Sequence, residues 1–171
     1  YVMMDCIQKN KNENIVIFYA NNTSLDTLKS LLPSEYHSKL ISGDDYDQVS
    51  NCKKALCASG TITLELSILE IPMVIMYKLS YISYFVMKTL VKLKYIGLVN
   101  LVLGKEIGSE PVVKEYIQPS YSDQIDIMVE LNKIDNDIIY RQEIIKKYQE
   151  IKNKLTIKPM YTLSDIVDKL S

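Results

Sequence analysis

Apolar and polar positions along the chain alternate between short strand-like runs and segments with helical spacing. Continuous apolar runs at residues 15–20 and 72–77 predict buried strands, and residues 39–41 predict a weaker one. Residues 54–58 are apolar enough for a strand inside a parallel sheet. Helical and strand-like segments that alternate at this spacing predict a parallel sheet with helices on both faces. The expected fold class is therefore α/β and Rossmann-like.

Local signals place the first helices. Residues 1–10 predict the end of an amphipathic helix, so we expect a fragment whose beginning is missing. Asp26 stands three residues after Thr23, as in a capping box, which predicts a helix over residues 25–32 that Pro33 ends.

The second half of the chain is predicted to be mostly helical. Residues 96–103 give a short strand-like run, and residues 112–118 predict a short helix. Further helices are expected in three stretches, at 122–132, 137–155 and 163–170. This pattern divides the chain into an incomplete Rossmann-like domain, 1–118, and a helical carboxyl-terminal extension, 119–171, packed on it.

The chain is organised around the turn that follows the strand at 54–58. Ser59, Gly60 and Thr61 form a small-residue turn before a helix that runs to about residue 69. The unpaired N–H groups at such a helix start suit a phosphate or diphosphate. Glu65, one turn into the helix, could accept hydrogen bonds from a ribose. Taken alone, the turn favours a purely structural cap, because Ser and Thr caps mostly serve their own helix.

Composition excludes several functions. The 171 residues suit one domain, and a net charge of -1 argues against a nucleic-acid partner. Cys6, Cys52 and Cys57 lack CxxC spacing and His37 is the single histidine, which argues against a zinc site, a disulfide framework and a Ser–His–Asp triad. We expect reduced thiols in a cytoplasmic protein, with no metal and no cofactor.

Residues 81–95 are strongly apolar and aromatic but carry three lysines toward one end. Two interpretations stand beside each other. The segment is either a core-packed helix whose lysines reach solvent, or an interfacial helix on an anionic membrane surface. Asn100 also lies in apolar surroundings, where its amide is either satisfied by backbone groups or directed into a site.

In combination, four segments resemble lipid-A-disaccharide synthase, a glycosyltransferase with two Rossmann domains (the B-type fold). The resemblance is to its carboxyl-terminal half and runs from about residue 14 to the end. The segments are Ala58–Glu65, Pro72–Lys78, Val99–Glu106 and Lys114–Gln118. Together they outweigh the structural interpretation of the Ser-Gly-Thr turn.

The resemblance implies an inverting hexosyltransferase of lipid A biosynthesis. Such enzymes move 2,3-diacylglucosamine from UDP to 2,3-diacylglucosamine 1-phosphate without a metal, as peripheral proteins on the inner face of the bacterial inner membrane. By position, the turn residues would contact the diphosphate and Glu65 the ribose. The remaining residues implied on the donor side are Asn100, Glu106 and Gln118.

Two departures from the family pattern are Lys105, where arginine is usual, and Lys114, where proline is usual. The amino-terminal half of the enzyme, with its acceptor site and base, is expected to be a missing partner. No catalytic residue is therefore assigned, and we expect the isolated chain to be inactive. The alternatives are half of another UDP-sugar enzyme of the B-type fold, either an epimerase or a soluble-acceptor transferase, and a non-catalytic remnant.

Overall fold

The computed structural model describes residues 2–9, 14–20, 23–58, 60–77, 95, 97–102, 110–120 and 122–156. Within these ranges helices and strands alternate along most of the chain. The strands are β1 (Ile17–Tyr19), β2 (Leu40–Ser42), β3 (Ala55–Cys57), β4 (Met73–Tyr77) and β5 (Glu115–Ile117). The helices are α1 (Val2–Lys9), α2 (Leu25–Leu31), α3 (Tyr46–Ser50), α4 (Ile62–Ile68), α5 (Leu98–Val102), α6 (Asp123–Asn136) and α7 (Ile138–Thr156), with a 3-10 helix at Ser34–Lys39.

The described strands form two parallel sheets. One contains β1 and β2, and the other has the order β3-β4-β5. Parallel strands need crossover connections, which the helices between them provide. The fold is therefore α/β with parallel sheets and a helical carboxyl-terminal part, as the sequence predicts.

The core lies around β4. Val74 and Ile75 are fully buried, and Met73 and Met76 are nearly so, since β4 has a neighbouring strand on each side. Helix α6 packs against this strand, and α4 contacts both β4 and α7. A strand covered on both faces carries an unbroken apolar run, as this one does.

The two long helices contribute much of the same core. In α7 the buried residues Ile144, Tyr148 and Ile151 are spaced by four and three positions, which puts them on one face. Ile127 and Ile134 of α6 are also fully buried. The helices predicted at 122–132 and 137–155 are thus confirmed, whereas the one predicted at 163–170 lies outside the described residues.

Two predicted elements have the wrong type. Residues 115–117 of the predicted helix at 112–118 form strand β5, where the Ile75 N–H donates to the Lys114 carbonyl and extends the sheet. Residues 98–102 of the predicted strand at 96–103 form helix α5. Both segments are short, and pairing with β4 decides the structure of the first against its helical spacing.

Three further expectations were partly wrong. Strand β3 was expected inside a sheet, whereas among the described strands it lies at an edge of the order β3-β4-β5. All three residues of β1 are half-buried instead of buried. The cap of α2 is Ser24 instead of Thr23, because the Ser24 hydroxyl accepts the Thr27 N–H at 3.4 Å.

A search of the described helices for one long and apolar enough to cross a bilayer finds none.

Candidate functional site

The carboxyl ends of β3, β4 and β5 lie at one edge of their sheet, because the three strands are parallel. Ligands in open parallel sheets bind beyond this edge. Gly60 and Thr61 follow β3, and Gln118 follows β5. The structure therefore brings three of the predicted site residues to the carboxyl edge, while Ser59 and Glu106 lie outside the described residues.

Gly60 has a backbone conformation that requires glycine. Its φ is +138°, and a Cβ at this position would meet no atom within 4 Å. The requirement is thus conformational and does not come from crowding. The next turn is fixed by the buried Thr63, whose hydroxyl donates to the Gly60 carbonyl at 2.8 Å. Thr61 is exposed, and its hydroxyl makes no capping hydrogen bond to α4.

Glu65 is half-buried in α4 and already has a protein partner. The Tyr46 hydroxyl donates to Glu65 Oε2 at 3.1 Å, which joins α3 to α4. The same hydrogen bond raises the pKa of the Tyr46 phenol, because the carboxylate accepts from its protonated form. The second carboxylate oxygen of Glu65, Oε1, is not part of this hydrogen bond.

Gln118 has an unusual backbone conformation at the end of β5. Its φ is +54°, which is uncommon for a residue other than glycine, and Pro119 follows it. Its N–H donates to the Tyr77 carbonyl at 3.0 Å and so extends the pairing of β5 with β4. The Tyr77 hydroxyl is buried and has no hydrogen-bond partner among the described residues. Strained backbone at the end of a strand often marks a functional position.

Asn100 is 1% exposed, and its amide holds α5 against the segment that leads into β5. Its Oδ1 accepts the N–H groups of Val112 and Val113 at 2.7 and 3.1 Å. Its Nδ2 donates to the Val113 carbonyl at 2.9 Å and to Glu115 Oε1 at 2.6 Å. All four hydrogen-bonding positions of the amide are used within the protein. Of the two interpretations from the sequence, these contacts match the satisfied amide.

Glu115, in β5, takes part in the same hydrogen-bond network as Asn100. Its Oε1 also accepts the Gly97 N–H, at 2.9 Å, just before α5. Any side chain at position 97 would place its Cβ 2.6 Å from Ile75 Cδ1 and 2.7 Å from Glu115 Oε1. A larger residue here would have to displace the ends of the Ile75 and Glu115 side chains, so close packing favours glycine at this position, in contrast to Gly60.

A cavity lies near the opposite, amino edge of the sheet, away from the predicted site residues. It has a volume of about 260 Å³ and lies between the start of β5 and the last two helices, lined by Glu110, Pro111, Val112, Lys114, Lys133, Tyr140, Glu143, Ile144 and Lys147. Lys114 Nζ lies 2.9 Å from the buried Glu130 carboxylate, which also accepts the Tyr140 hydroxyl. The lining carries three lysines and two glutamates, so its charges nearly balance.

Sequence reasoning missed Tyr46, Glu115 and Tyr77. Nothing in the local pattern pairs Tyr46 with Glu65, which is 19 residues away and meets it only through the fold. Glu115 was placed in a helix, which hid its position opposite Asn100. In the part of the chain that the structure describes, no three His, Cys, Asp or Glu side chains converge on a metal-sized site.

Comparisons with known proteins agree on one family. The family described as lipid-A-disaccharide synthetase matches residues 4–160. The lipid-A-disaccharide synthase of Coxiella burnetii is 35% identical over 136 residues, which cover 80% of this chain and 34% of that protein. The synthase of Nitrosococcus oceani is 31% identical over 128 residues, 75% of this chain and 32% of its own length. That of Rickettsia canadensis is 26% identical over 158 residues, 92% of this chain and 40% of its own.

No solved structure matches the chain. The chain spans about a third of the length of the curated relatives it matches. The family match covers most of its residues, including β1 to β5 and, in whole or in part, the seven α-helices that lie among the described residues. The chain therefore belongs to the lipid-A-disaccharide synthase family.

Proposed function

We propose that this chain is the carboxyl-terminal, UDP-donor-binding half of a lipid-A-disaccharide synthase. The observation that carries the proposal is the family match over residues 4–160, on a parallel α/β fold whose carboxyl edge is the usual position of a ligand. The donor is UDP-activated 2,3-diacylglucosamine, and the transfer builds the lipid A disaccharide.

The proposed donor site uses the residues after β3 and β5. The backbone and hydroxyls of Ser59, Gly60 and Thr61 contact the diphosphate, and Glu65 accepts from the ribose through the oxygen that Tyr46 does not occupy. Gln118 and Glu106 line the donor side of the cleft. Asn100 contributes to the same side by fixing α5, since its own amide atoms are engaged in the protein.

The chain on its own is proposed to be inactive. Transfer needs an acceptor and a general base, and both are expected from the amino-terminal part of the enzyme. A separately encoded amino-terminal half that restores transfer on mixing would show that the division lies between two polypeptides. Transfer by this chain alone would contradict the assignment.

The location of the protein is part of the proposal. We place it in the cytoplasm, peripheral on the inner face of the bacterial inner membrane, through residues 81–95. Only Tyr95 of that segment is described, and it is buried, so the observation in favour is the apolar and lysine-rich sequence itself. Flotation with vesicles containing anionic lipid tests it, because half of an enzyme that acts on soluble substrates would stay in the bottom fraction of the gradient.

A thermal melt with and without millimolar UDP tests donor binding. A ligand that binds only the native state stabilises it by RT ln(1 + [L]/Kd), about 2.7 kcal/mol at a hundredfold excess over Kd. We expect an upward shift in melting temperature that Glu65→Ala abolishes. Tyr46→Phe is the matched control, because it breaks the same hydrogen bond but keeps the carboxylate.

The melt also separates the alternatives. A cooperative melt that UDP does not shift contradicts the donor-site proposal for this chain. The absence of any cooperative melt favours a non-catalytic remnant. A shift with UDP and no vesicle flotation favours another UDP-sugar enzyme with a soluble acceptor.

A further inference from the structure

Tyr46 places an exposed aromatic ring at the carboxyl edge of the fold. It is the first residue of α3, which follows β2, and Glu65 lies in the first turn of α4, which follows β3. Both residues therefore stand beyond the carboxyl ends of parallel strands, where the donor site is proposed. Tyr46 is 49% exposed, so a ligand at this edge can reach its ring.

The Tyr46 side chain is held at both of its ends. Its hydroxyl donates to Glu65 Oε2 at 3.1 Å. Its backbone belongs to a short helix that Asp45 caps by accepting the Gln48 N–H at 3.2 Å. Val49 of the same helix is 3% exposed and lies in the core cluster. A ring fixed in this way loses little conformational entropy when a ligand stacks on it.

The hydrogen bond from Tyr46 also indicates in which direction a bound nucleotide runs. In the proposed site the diphosphate lies at the turn of Gly60 and Thr61, and the ribose lies at Glu65. Because Glu65 is joined to α3, the ribose lies on the side of α4 that faces α3. The base is attached to the ribose away from the diphosphate, so it continues in that direction and reaches the Tyr46 ring.

The backbone N–H groups of the loop between β2 and α3 are mostly engaged within the protein. The Gly43 N–H donates to the Tyr19 carbonyl at 2.9 Å, and the Asp45 N–H donates to the Ser42 carbonyl at 3.1 Å. The Tyr46 N–H donates at 3.0 Å to the carbonyl two residues before it. Recognition of a base through these donors would break existing hydrogen bonds, whereas stacking on the Tyr46 ring requires none of them.

We infer that the Tyr46 ring stacks on the base of the bound nucleoside diphosphate, which is uracil in the proposed donor. The inference rests on the proposed function, because it takes the positions of the diphosphate and the ribose from it. It adds the residue that contacts the base and the type of contact. Every base has an aromatic face, so the ring should favour nucleoside diphosphates in general over inorganic diphosphate.

Isothermal titration calorimetry of the 171-residue chain with UDP and with inorganic diphosphate tests the inference. Tyr46→Leu and Tyr46→Phe both remove the hydrogen bond to Glu65, but only Tyr46→Phe keeps an aromatic ring. The Kd of UDP should be about tenfold or more higher for Tyr46→Leu than for Tyr46→Phe, as expected for the loss of one stacked base. The Kd of inorganic diphosphate should be the same for both variants.

A third variant gives an optical measurement of the same contact. The chain contains no tryptophan, so Tyr46→Trp introduces a single indole at the proposed stacking position. The indole fluorescence should change when UDP is added and stay constant with inorganic diphosphate, because only UDP carries a base that can stack on the indole.

The outcomes separate this inference from the donor-site proposal. Equal Kd values of UDP for Tyr46→Leu and Tyr46→Phe, with constant indole fluorescence in Tyr46→Trp, would overturn the stacking, while a UDP-dependent melt of the parent chain would still support the donor site. A parallel loss of UDP and inorganic diphosphate binding in Tyr46→Leu would also overturn it, because the change would then act through the fold. A parent chain that binds neither compound would contradict the donor site and the stacking together.

Discussion

The three-stranded sheet β3-β4-β5 and the two-stranded sheet β1-β2 are built from similar apolar residues but differ in burial. In β4, Met73 to Met76 are at most 6% exposed, and helices α4 and α6 pack against the strand. The residues of β1 and β2 are all half-buried, and α2 contains no buried residue. An apolar run therefore becomes core only where neighbouring strands and helices cover it.

The carboxyl and amino edges of the sheet also differ in the residues they carry. The carboxyl edge carries Gly60 and Gln118, both with positive φ, and the Tyr46–Glu65 pair. The amino edge carries the ion pair of Lys114 with the buried Glu130. Two of the three described residues with positive φ therefore lie at the edge where a ligand is proposed, and the third, Glu70, lies between the end of α4 and the start of β4.

The largest expected effect is a difference in stability between matched variants of the two sheets. Ile75→Ala removes a fully buried side chain and should lower the free energy of unfolding by about 2–5 kcal/mol. The matched change Ile17→Ala, at a half-buried position of β1, should cost roughly 1 kcal/mol. Urea denaturation of both variants measures the difference. Equal losses would show that the two sheets contribute equally to the core.

Asn100→Ala should destabilise the chain almost as strongly. It leaves the buried N–H groups of Val112 and Val113 without their acceptor, at about 2–4 kcal/mol in the free energy of unfolding. Asn136→Ala, which removes an exposed bond to the Asn132 carbonyl, should change it by less than about 0.5 kcal/mol. A stable Asn100→Ala variant that loses UDP binding would instead assign the amide to the donor site.

Whether an element can be predicted from the sequence depends on its length and on whether residues distant in the chain stabilise it. Strand β4 was predicted correctly because its apolar run is continuous, and α6 and α7 because their helical spacing extends over many residues. Segments 98–102 and 115–117 were misassigned because each is set by one distant contact, Asn100 with the Val112–Val113 backbone and β5 with β4. Tertiary contacts of this kind leave no local pattern.

The same distinction between local pattern and distant contact holds for the candidate site. Gly60 and Glu65 could be proposed from the sequence because a strand, a small-residue turn and a helix follow each other along the chain, and their roles remain predictions. Tyr46 was not found, since its partner is separated from it by a strand and a turn. The roles of Glu106 and Gln118 came from the family resemblance and remain predictions.

Cysteine reactivity should report the same contrast in burial. Burial, with a smaller contribution from Glu115, raises the pKa of Cys57 to about 12, and burial also raises the pKa of the half-exposed Cys52. Under native conditions near pH 8, Cys52 should react with a thiol reagent at least about tenfold faster than Cys57. Mass spectrometry after timed labelling measures both rates. Faster labelling of Cys57 would contradict the burial of its side chain.

The stability of the chain should depend on pH because the pKa of Cys57 is raised in the folded state. Because the pKa of Cys57 is raised in the folded state, its protonated thiol favours folding fully below the unfolded pKa near 9. This contribution is lost as the pH rises from about 9 toward about 12. Cys57→Ala should therefore lose less stability than the parent chain over that interval, as pH-jump denaturation can measure.

The smallest expected effect concerns the link between α3 and α4. Tyr46→Phe removes one solvent-accessible hydrogen bond and should lower the midpoint of urea denaturation only slightly. A larger loss in urea denaturation would mean that this contact holds the two sheets together. Tyr46→Phe also serves as the folded control for Glu65→Ala in the UDP melt.

The most direct test of the central claim is to map UDP onto the chain by amide chemical-shift changes in a nuclear magnetic resonance titration. The account predicts that the largest changes fall at the carboxyl edge of the sheet, at Gly60, Thr61 and Gln118. The amides of Lys114 and Lys133, at the amino-edge cavity, should stay unchanged. Changes that centre on that cavity, or no changes at saturating UDP in a folded chain, would contradict the assignment of the donor site.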